Sequence, residues 1–264
     1  MMRIICCVKQ VPDTTEVKID PETNTLIREG IPSIVNPFDL HAVEEALKIK
    51  EQRGGGEVLA ISMGPPQAAE ALKEVIAMGT DRAFLLSAKE FAGADTLATS
   101  YTLSRGIRKL GHFDLIICGK QAIDGDTAQV GPGLAGQLDI PQIAYVRKIE
   151  HIDEERIRVQ KITEEGHEII EAPLPALITV VKDINIPRLP TLKGKLIAKK
   201  TEIPILTPKD VDADNDRIGL TGSPTMVIKI FTPEMKKESE IFEGPADRSV
   251  EKLVDRIKNI IEGL

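Results

Sequence analysis

Up to Pro141 the chain repeats one pattern, a short apolar run followed by a longer amphipathic stretch. Arg3 to Val8 is apolar and β-branched, as a strand buried on both faces should be. Residues 13 to 35 are polar, with Pro21-Glu22-Thr23-Asn24 between Val17-Lys18-Ile19 and Thr25-Leu26-Ile27, which predicts a small hairpin excursion. Asp39 is placed to cap a helix whose Leu40, Val43, Ala46 and Leu47 share a face, and Gly54-Gly55-Gly56 ends it. Val58 to Ser62 is the next strand, and Pro66 opens a helix to about Met78 with Ala69, Leu72, Val75 and Ile76 inward. Ala83 to Leu86, a helix from Asp95 to Leu110 and a strand starting at Leu115 continue the series. Such alternation implies right-handed βαβ units and a mostly parallel sheet.

After Pro141 the pattern changes. Ala144 to Glu150, Arg156 to Thr163 and Glu168 to Ala172 are polar strands around acidic turns, an antiparallel meander at about 144–172. Ala176 to Val180 is apolar again and returns to the sheet. Residues 183–208 carry Pro187, Pro190, Pro204 and Pro208 with many lysines and little periodicity, which predicts an irregular loop or arm. Residues 209–245 read as irregular, with a short strand at Met226 to Phe231. Val250, Leu253, Val254, Ile257, Ile260 and Ile261 then form a helical stripe, with Asp247 or Ser249 as cap. The divisions are an α/β body over 1–182, an arm over 183–208 and a C-terminal arm and helix over 209–264.

Composition narrows the function. The 264 residues suffice for a sizeable core, and the 42% apolar and 28% charged fractions are those of a globular protein. A net charge of −7 without a basic block argues against nucleic acid or an anionic membrane as partner. No apolar run reaches the length of a membrane span, and Met1 to Val8 lacks the core of a signal peptide, so a cytoplasmic location is expected. Cys6 and Cys7, as strand neighbours, point to opposite faces; with Cys118 they read as buried filler. His41, His112, His151 and His167 stand isolated, which leaves a histidine-centred acid–base mechanism without support.

The stretch with most chemistry is Gly119-Lys120-Gln121-Ala122-Ile123-Asp124-Gly125-Asp126-Thr127-Ala128-Gln129-Val130-Gly131-Pro132. It follows the strand at Leu115 and precedes a helical run with Leu134, Ala135 and Leu138. Strand, Gly-rich polar turn and helix together mark where an open α/β sheet takes a ligand, outside the carboxyl end of the strand. Thr127 or Asp126 caps the helix in this reading, and its free N–H groups favour an anion such as a pyrophosphate. An ordinary capped turn is the alternative. Asp124 and Asp126 lack a third hard ligand, so a metal pair is disfavoured. The chain has no G-x-G-x-x-G fingerprint, no G-x-x-x-x-G-K-[ST] loop, no H-E-x-x-H and no G-x-S-x-G elbow.

Five ordered blocks carry a resemblance. They are Val8-Lys9-Gln10-Val11-Pro12-Asp13, Asn36-Pro37-Phe38-Asp39, Met78-Gly79-Thr80-Asp81-Arg82-Ala83, the loop from Gln121 to Pro132, and Asn185-Ile186-Pro187-Arg188-Leu189-Pro190-Thr191-Leu192 with Ala198-Lys199-Lys200 beyond. In this order they resemble the β subunit of electron-transferring flavoproteins. The resemblance implies a doubly wound, Rossmann-like, adenine-nucleotide-binding α/β fold with an added meander and C-terminal arm. It also implies a cofactor pocket. Cys7, Val8, Lys9, Met63 and Gly64 would line it mainly through backbone, Asn36, Pro37, Phe38 and Asp39 through the turn and its side chains. Ala122, Ile123, Asp124, Gly125, Asp126, Thr127, Ala128, Gln129, Val130, Gly131 and Pro132 would surround the phosphates.

Simple members of that family hold structural AMP in this place; electron-bifurcating members hold FAD that NADH reduces. Gly125-Asp126-Thr127 and Val130-Gly131-Pro132 look like the bifurcating and nitrogen-fixation-associated members. Gly125 removes a side chain where a flavin or nicotinamide approaches; a positive-φ turn is the other reason for a glycine there. The implied partners are an α subunit carrying the other FAD, an acyl-CoA or other dehydrogenase, and ferredoxin or flavodoxin. Pro187, Arg188 and Leu192 match the family's recognition loop, with Leu192 at the position of the partner anchor; a leucine packed on its own domain is the alternative. No side-chain acid–base catalyst is expected. An ATP-binding stress-type α/β domain is the remote alternative, and the chain lacks an S-G-G-x-D-S loop.

Overall fold

The computed structural model describes residues 1–13, 33–228 and 239–262. The chain separates into two compact units, Met1–Ile228 and Lys229–Leu264. The first is built on a nine-stranded sheet in the order β11-β5-β4-β1-β6-β10-β7-β8-β9. Its strands are β1 (Arg3–Cys7), β4 (Glu57–Met63), β5 (Arg82–Leu86), β6 (Leu115–Gly119), β7 (Gln142–Ile152), β8 (Arg156–Thr163), β9 (Gly166–Pro173), β10 (Ala176–Val180) and β11 (Ile205–Leu206). From β11 to β7 all neighbours run parallel, and β7, β8 and β9 continue as the antiparallel meander. A separate antiparallel pair, β2 (Gln10–Pro12) and β3 (Ser33–Val35), flanks the segment where the hairpin is expected. That hairpin, at 17–27, lies outside the described residues.

Period-two alternation along the strands divides the core. Ile4 and Cys6 face one side with α1 (Pro37–Gln52) and α2 (Ala69–Met78). Ile5 faces the other with α3 (Thr96–Leu110) and α4 (Val130–Leu138), so the sheet is doubly wound. Fully buried Ile4, Ile5, Leu59, Ile61, Leu115, Ile116 and Ile117 each contribute roughly 1.5–3 kcal/mol by leaving water. The cysteines fit this division: Cys6 packs with the α1 side, Cys7 and Cys118 with the α3 side. Burial pushes the Cys6 thiol up; the adjacent Cys7 sulfur and burial push up that of Cys118.

Several boundaries differ from the expectation. Asp39 does not cap α1. The helix begins at Pro37, with Asn36 at the N-cap and its carbonyl accepting from Asp39 and Leu40 N–H, which puts Asp39 inside the first turn. The arm over 183–208 is not irregular throughout. Residues 191–203 contain no proline, and Thr191 Oγ1 accepts from Gly194 N–H (2.9 Å) to cap a helix, α5 (Leu192–Lys200). This helix packs closely on α2, since a Cβ at Gly194 would collide with the Ala77 carbonyl oxygen. Met226 to Ile228, the described part of the strand expected there, has no strand geometry; the rest lies outside the described residues.

The second unit carries α6 (Ala246–Glu262), which starts before Asp247 and Ser249, so neither is its cap. Val250, Leu253, Val254, Ile257, Ile260 and Ile261 line one face of it, uncovered within that unit.

Candidate functional site

The chain leaves β1, builds outward through β4 and β5, then returns across the sheet to β6 on β1's other flank. This reversal creates a crevice at the carboxyl ends of β1 and β6, the place where open α/β sheets take their ligands. Cys7, Val8 and Lys9 emerge from β1, Met63 and Gly64 from β4, and the segment from Lys120 to Gln129 from β6. The parallel register, Cys7 opposite both Ile61 and Cys118, sets these ends on one edge.

Three side chains tie the edge together. Asn36 is 1% exposed; its Nδ2 donates to the Gln121 carbonyl (2.8 Å) and its Oδ1 accepts from Ile123 N–H (3.2 Å). Lys9 Nζ donates to both carboxylate oxygens of Asp124, at 2.7 and 2.8 Å. Asp39 is buried and accepts from Lys9 N–H at 2.7 Å. Asn36 and Asp39 are thus engaged by the chain itself, shaping the loop from below. Gln10 Nε2 donates to the Gln67 carbonyl (3.1 Å), which joins the continuation of β1 to the turn after β4. Pro37 occupies the first turn of α1, and the Lys182 ammonium lies 5.1 Å from the centre of the Phe38 ring.

The loop itself is exposed from Ile123 to Thr127. Neither Asp126 nor Thr127 caps α4: Gln129 stands at the N-cap and its side chain makes no capping hydrogen bond. Asp126 and Ala128 take positive φ (48° and 54°), and these two reversals carry the expected caps away from the helix start. The first N–H groups of α4, at Val130 and Gly131, have no intrahelical acceptor. Positive-φ residues beside right-handed Gln129 (φ −104°, ψ −22°) give the kind of backbone that cups an anion. Main-chain donors at an uncapped helix start suit a nucleotide phosphate. Gly125 is not a positive-φ position, so that reason for a glycine falls away; a Cβ there would meet no atom within 4 Å. Among the described residues no group of three His, Cys, Asp or Glu side chains is placed to hold a metal.

Pro187, Arg188 and Leu192 lie apart from this edge. Arg188 clamps the arm to the outer face of α1, with Nε 2.7 Å from Glu44 Oε2 and Nη2 3.1 Å from Glu51 Oε2. The two carboxylates raise its pKa still further, and Arg188 draws that of Glu51 down. Asn185 Nδ2 adds hydrogen bonds to the His41 carbonyl and Glu45, both 2.9 Å. Residues separated by 144 positions meet here, and no sequence spacing reveals it. Leu192 opens α5 and is 77% exposed, beside exposed Leu189, Leu196 and Ile197. Two clefts lie elsewhere. One, of about 770 Å³, runs between the end of α1 and β7; the other, of about 610 Å³, lies between Ala88 and the Thr207–Thr221 stretch. Their walls mix acids and bases and hold none of the loop residues.

Strand order, helix placement and switch point define a Rossmann-like, doubly wound α/β protein. Residues 23–211 match the model of the electron transfer flavoprotein domain. Over 259 residues, 98% of each chain, this sequence is 52% identical to the "Electron transfer flavoprotein subunit beta" of Thermoanaerobacterium thermosaccharolyticum. It is 50% identical over 266 residues to the protein of the same description in Megasphaera elsdenii, covering 96% of this chain and 98% of that one. It is 48% identical over 258 residues to the "Caffeyl-CoA reductase-Etf complex subunit CarD" of Acetobacterium woodii, covering 97% and 98%. The chain belongs to the electron transfer flavoprotein family, on its β-subunit side.

Proposed function

We propose that this chain is the β subunit of a heterodimeric, electron-bifurcating flavoprotein, with FAD in the crevice between β1 and β6 and NADH as electron donor. The observation that carries the reading is the loop from Ala122 to Gln129, with main-chain donors at an uncapped helix start and open space at Gly125. A relative described as part of a caffeyl-CoA reductase complex supports a place beside a CoA-ester reductase or dehydrogenase. Bound FAD would supply hydride acceptance and single-electron release, toward ferredoxin or flavodoxin and toward the α-subunit FAD and its dehydrogenase. This chain's residues would hold and orient it: the N–H groups of Val130 and Gly131 would take the phosphate, while Asn36 and Lys9 fix the loop's shape. No proton transfer by a side chain is needed.

The exposed Leu192, Leu196 and Ile197 present an apolar patch for the dehydrogenase, and the stripe of α6 is the surface for the α subunit. A second reading, a simple carrier with structural AMP, uses the same phosphate donors. The cofactor content of the purified complex separates the two, followed by anaerobic titration with NADH at the flavin absorbance. Two FAD with bleaching by NADH supports bifurcation; one FAD plus AMP, inert to NADH, replaces it with the carrier.

A further inference from the structure

We propose that Asp39 is the positioning residue of this crevice, acting through Lys9 on the loop from Ala122 to Gln129, and that its ionisation tightens that loop. The inference rests on the nucleotide-site reading above. Asp39 sits where β1 and β6 part, buried beneath their carboxyl ends. Its carboxylate accepts from Lys9 N–H (2.7 Å) on one side. On the other, Gly119 closes over it: a Cβ at 119 would collide with Asp39 Oδ1 and with Phe38. Only a glycine leaves room for that carboxylate at the end of β6.

The same Lys9 whose N–H is held by Asp39 reaches Asp124 with its ammonium. One residue therefore connects the buried acid to the exposed loop in two hydrogen-bonded steps. Among the described residues no cationic side chain forms an ion pair with Asp39. The titratable groups facing it are Lys9 at the end of β1, Cys6 on β1 and Cys118 on β6. Burial pushes the carboxyl up to about 7, against the N–H groups of Lys9 and Gly119, Asn36 and the Lys9 charge, which pull it down. An ionised acceptor holds an N–H more strongly than a neutral one. Against local openings that break the Lys9 N–H bond while Asp39 stays buried, deprotonation near neutrality therefore firms the end of β1 and, through Lys9, the loop. It does so even though burying that charge lowers the stability of the whole fold.

The test is hydrogen exchange, corrected for the chemical rate, on the full chain in the complex in which it purifies, between about pH 5.5 and 8.5. In the native protein, protection at residues 8–10 and 122–129 rises as Asp39 ionises. Asp39→Asn, isosteric and neutral, holds both segments at the low-pH level at every pH. Lys9→Met leaves the titration at 8–10 and abolishes it at 122–129. Equal protection in Asp39→Asn and the native protein at every pH overturns the proposal, as does an unchanged loop response in Lys9→Met. AMP and FAD affinities measured alongside should follow the same titration in the native protein and stay flat in Asp39→Asn. If neither nucleotide binds while the exchange titration persists, the nucleotide reading fails and the positioning role stands.

Discussion

Lys9 and Asp124, 115 positions apart, meet across the crevice with the ammonium within 2.8 Å of both carboxylate oxygens. The pair fastens an otherwise exposed loop to the end of the first strand. Because Lys9 is 48% exposed at its side chain, the contact contributes little to global stability. Lys9→Met should change the unfolding free energy by less than about 1 kcal/mol. It should nevertheless raise hydrogen exchange across Ala122 to Gln129, and a loop that exchanges no faster would count against the fastening role.

Asn36 is a different case because it is fully buried and uses both ends of its amide. Asn36→Ala strands the Gln121 carbonyl and the Ile123 N–H and should destabilise by roughly 2–4 kcal/mol in chemical denaturation. Asn36→Asp is expected to be no better, since it sets a carboxylate oxygen against the Gln121 carbonyl. A fall in nucleotide affinity should accompany both.

Asp39 makes stability depend on pH with a definite sign. Its folded pKa of about 7 lies above the ordinary carboxylate value near ~3.9, so between those limits the native state binds more protons than the unfolded one. Stability therefore falls as pH rises from about 4 to about 7 and levels off above. Asp39→Asn should remove that slope. Denaturation midpoints at three pH values check this, and parallel profiles for the two proteins would rule it out.

Leu192→Ala is expected to leave stability within ~0.5 kcal/mol, since the side chain is 77% exposed. Flavin content should be intact and electron transfer to the dehydrogenase weakened. Arg188→Ala removes the clamp on Glu44 and Glu51 instead, so it should increase tryptic cutting within 185–200 as well as impair transfer. Equal transfer rates in both variants and the native protein would detach this arm from partner binding.

The body of the fold is readable because each strand from Arg3 to Leu115 is an apolar run between amphipathic helices, a pattern set by burial on both faces. What escapes reading is long-range or conformational. The prolines around Asn185 to Pro208 obscure a short helix whose cap, Thr191, is visible three residues before Gly194. Arg188 looks like a free surface cation until the fold brings Glu44 and Glu51 beneath it. Asp126 and Thr127 have the chemistry of caps, but positive φ at Asp126 and Ala128 displaces them. Of the candidate site, the loop is plain from sequence; the inward engagement of Asn36 and Asp39 is not.

That inward engagement has a consequence for inheritance. The rim around the crevice offers peptide N–H groups, which any residue but proline supplies, while the side chains with demanding geometry lie beneath it. Substitution at Ile123, Gly125 and Thr127 can therefore drift without dismantling the cradle, whereas Asp124 is tied to Lys9, and Asn36, Asp39 and Gly119 are locked to one another. If the crevice holds the nucleotide proposed above, a scaffold divided in this way would let a few exposed positions set which cofactor it takes while its core stays as it is.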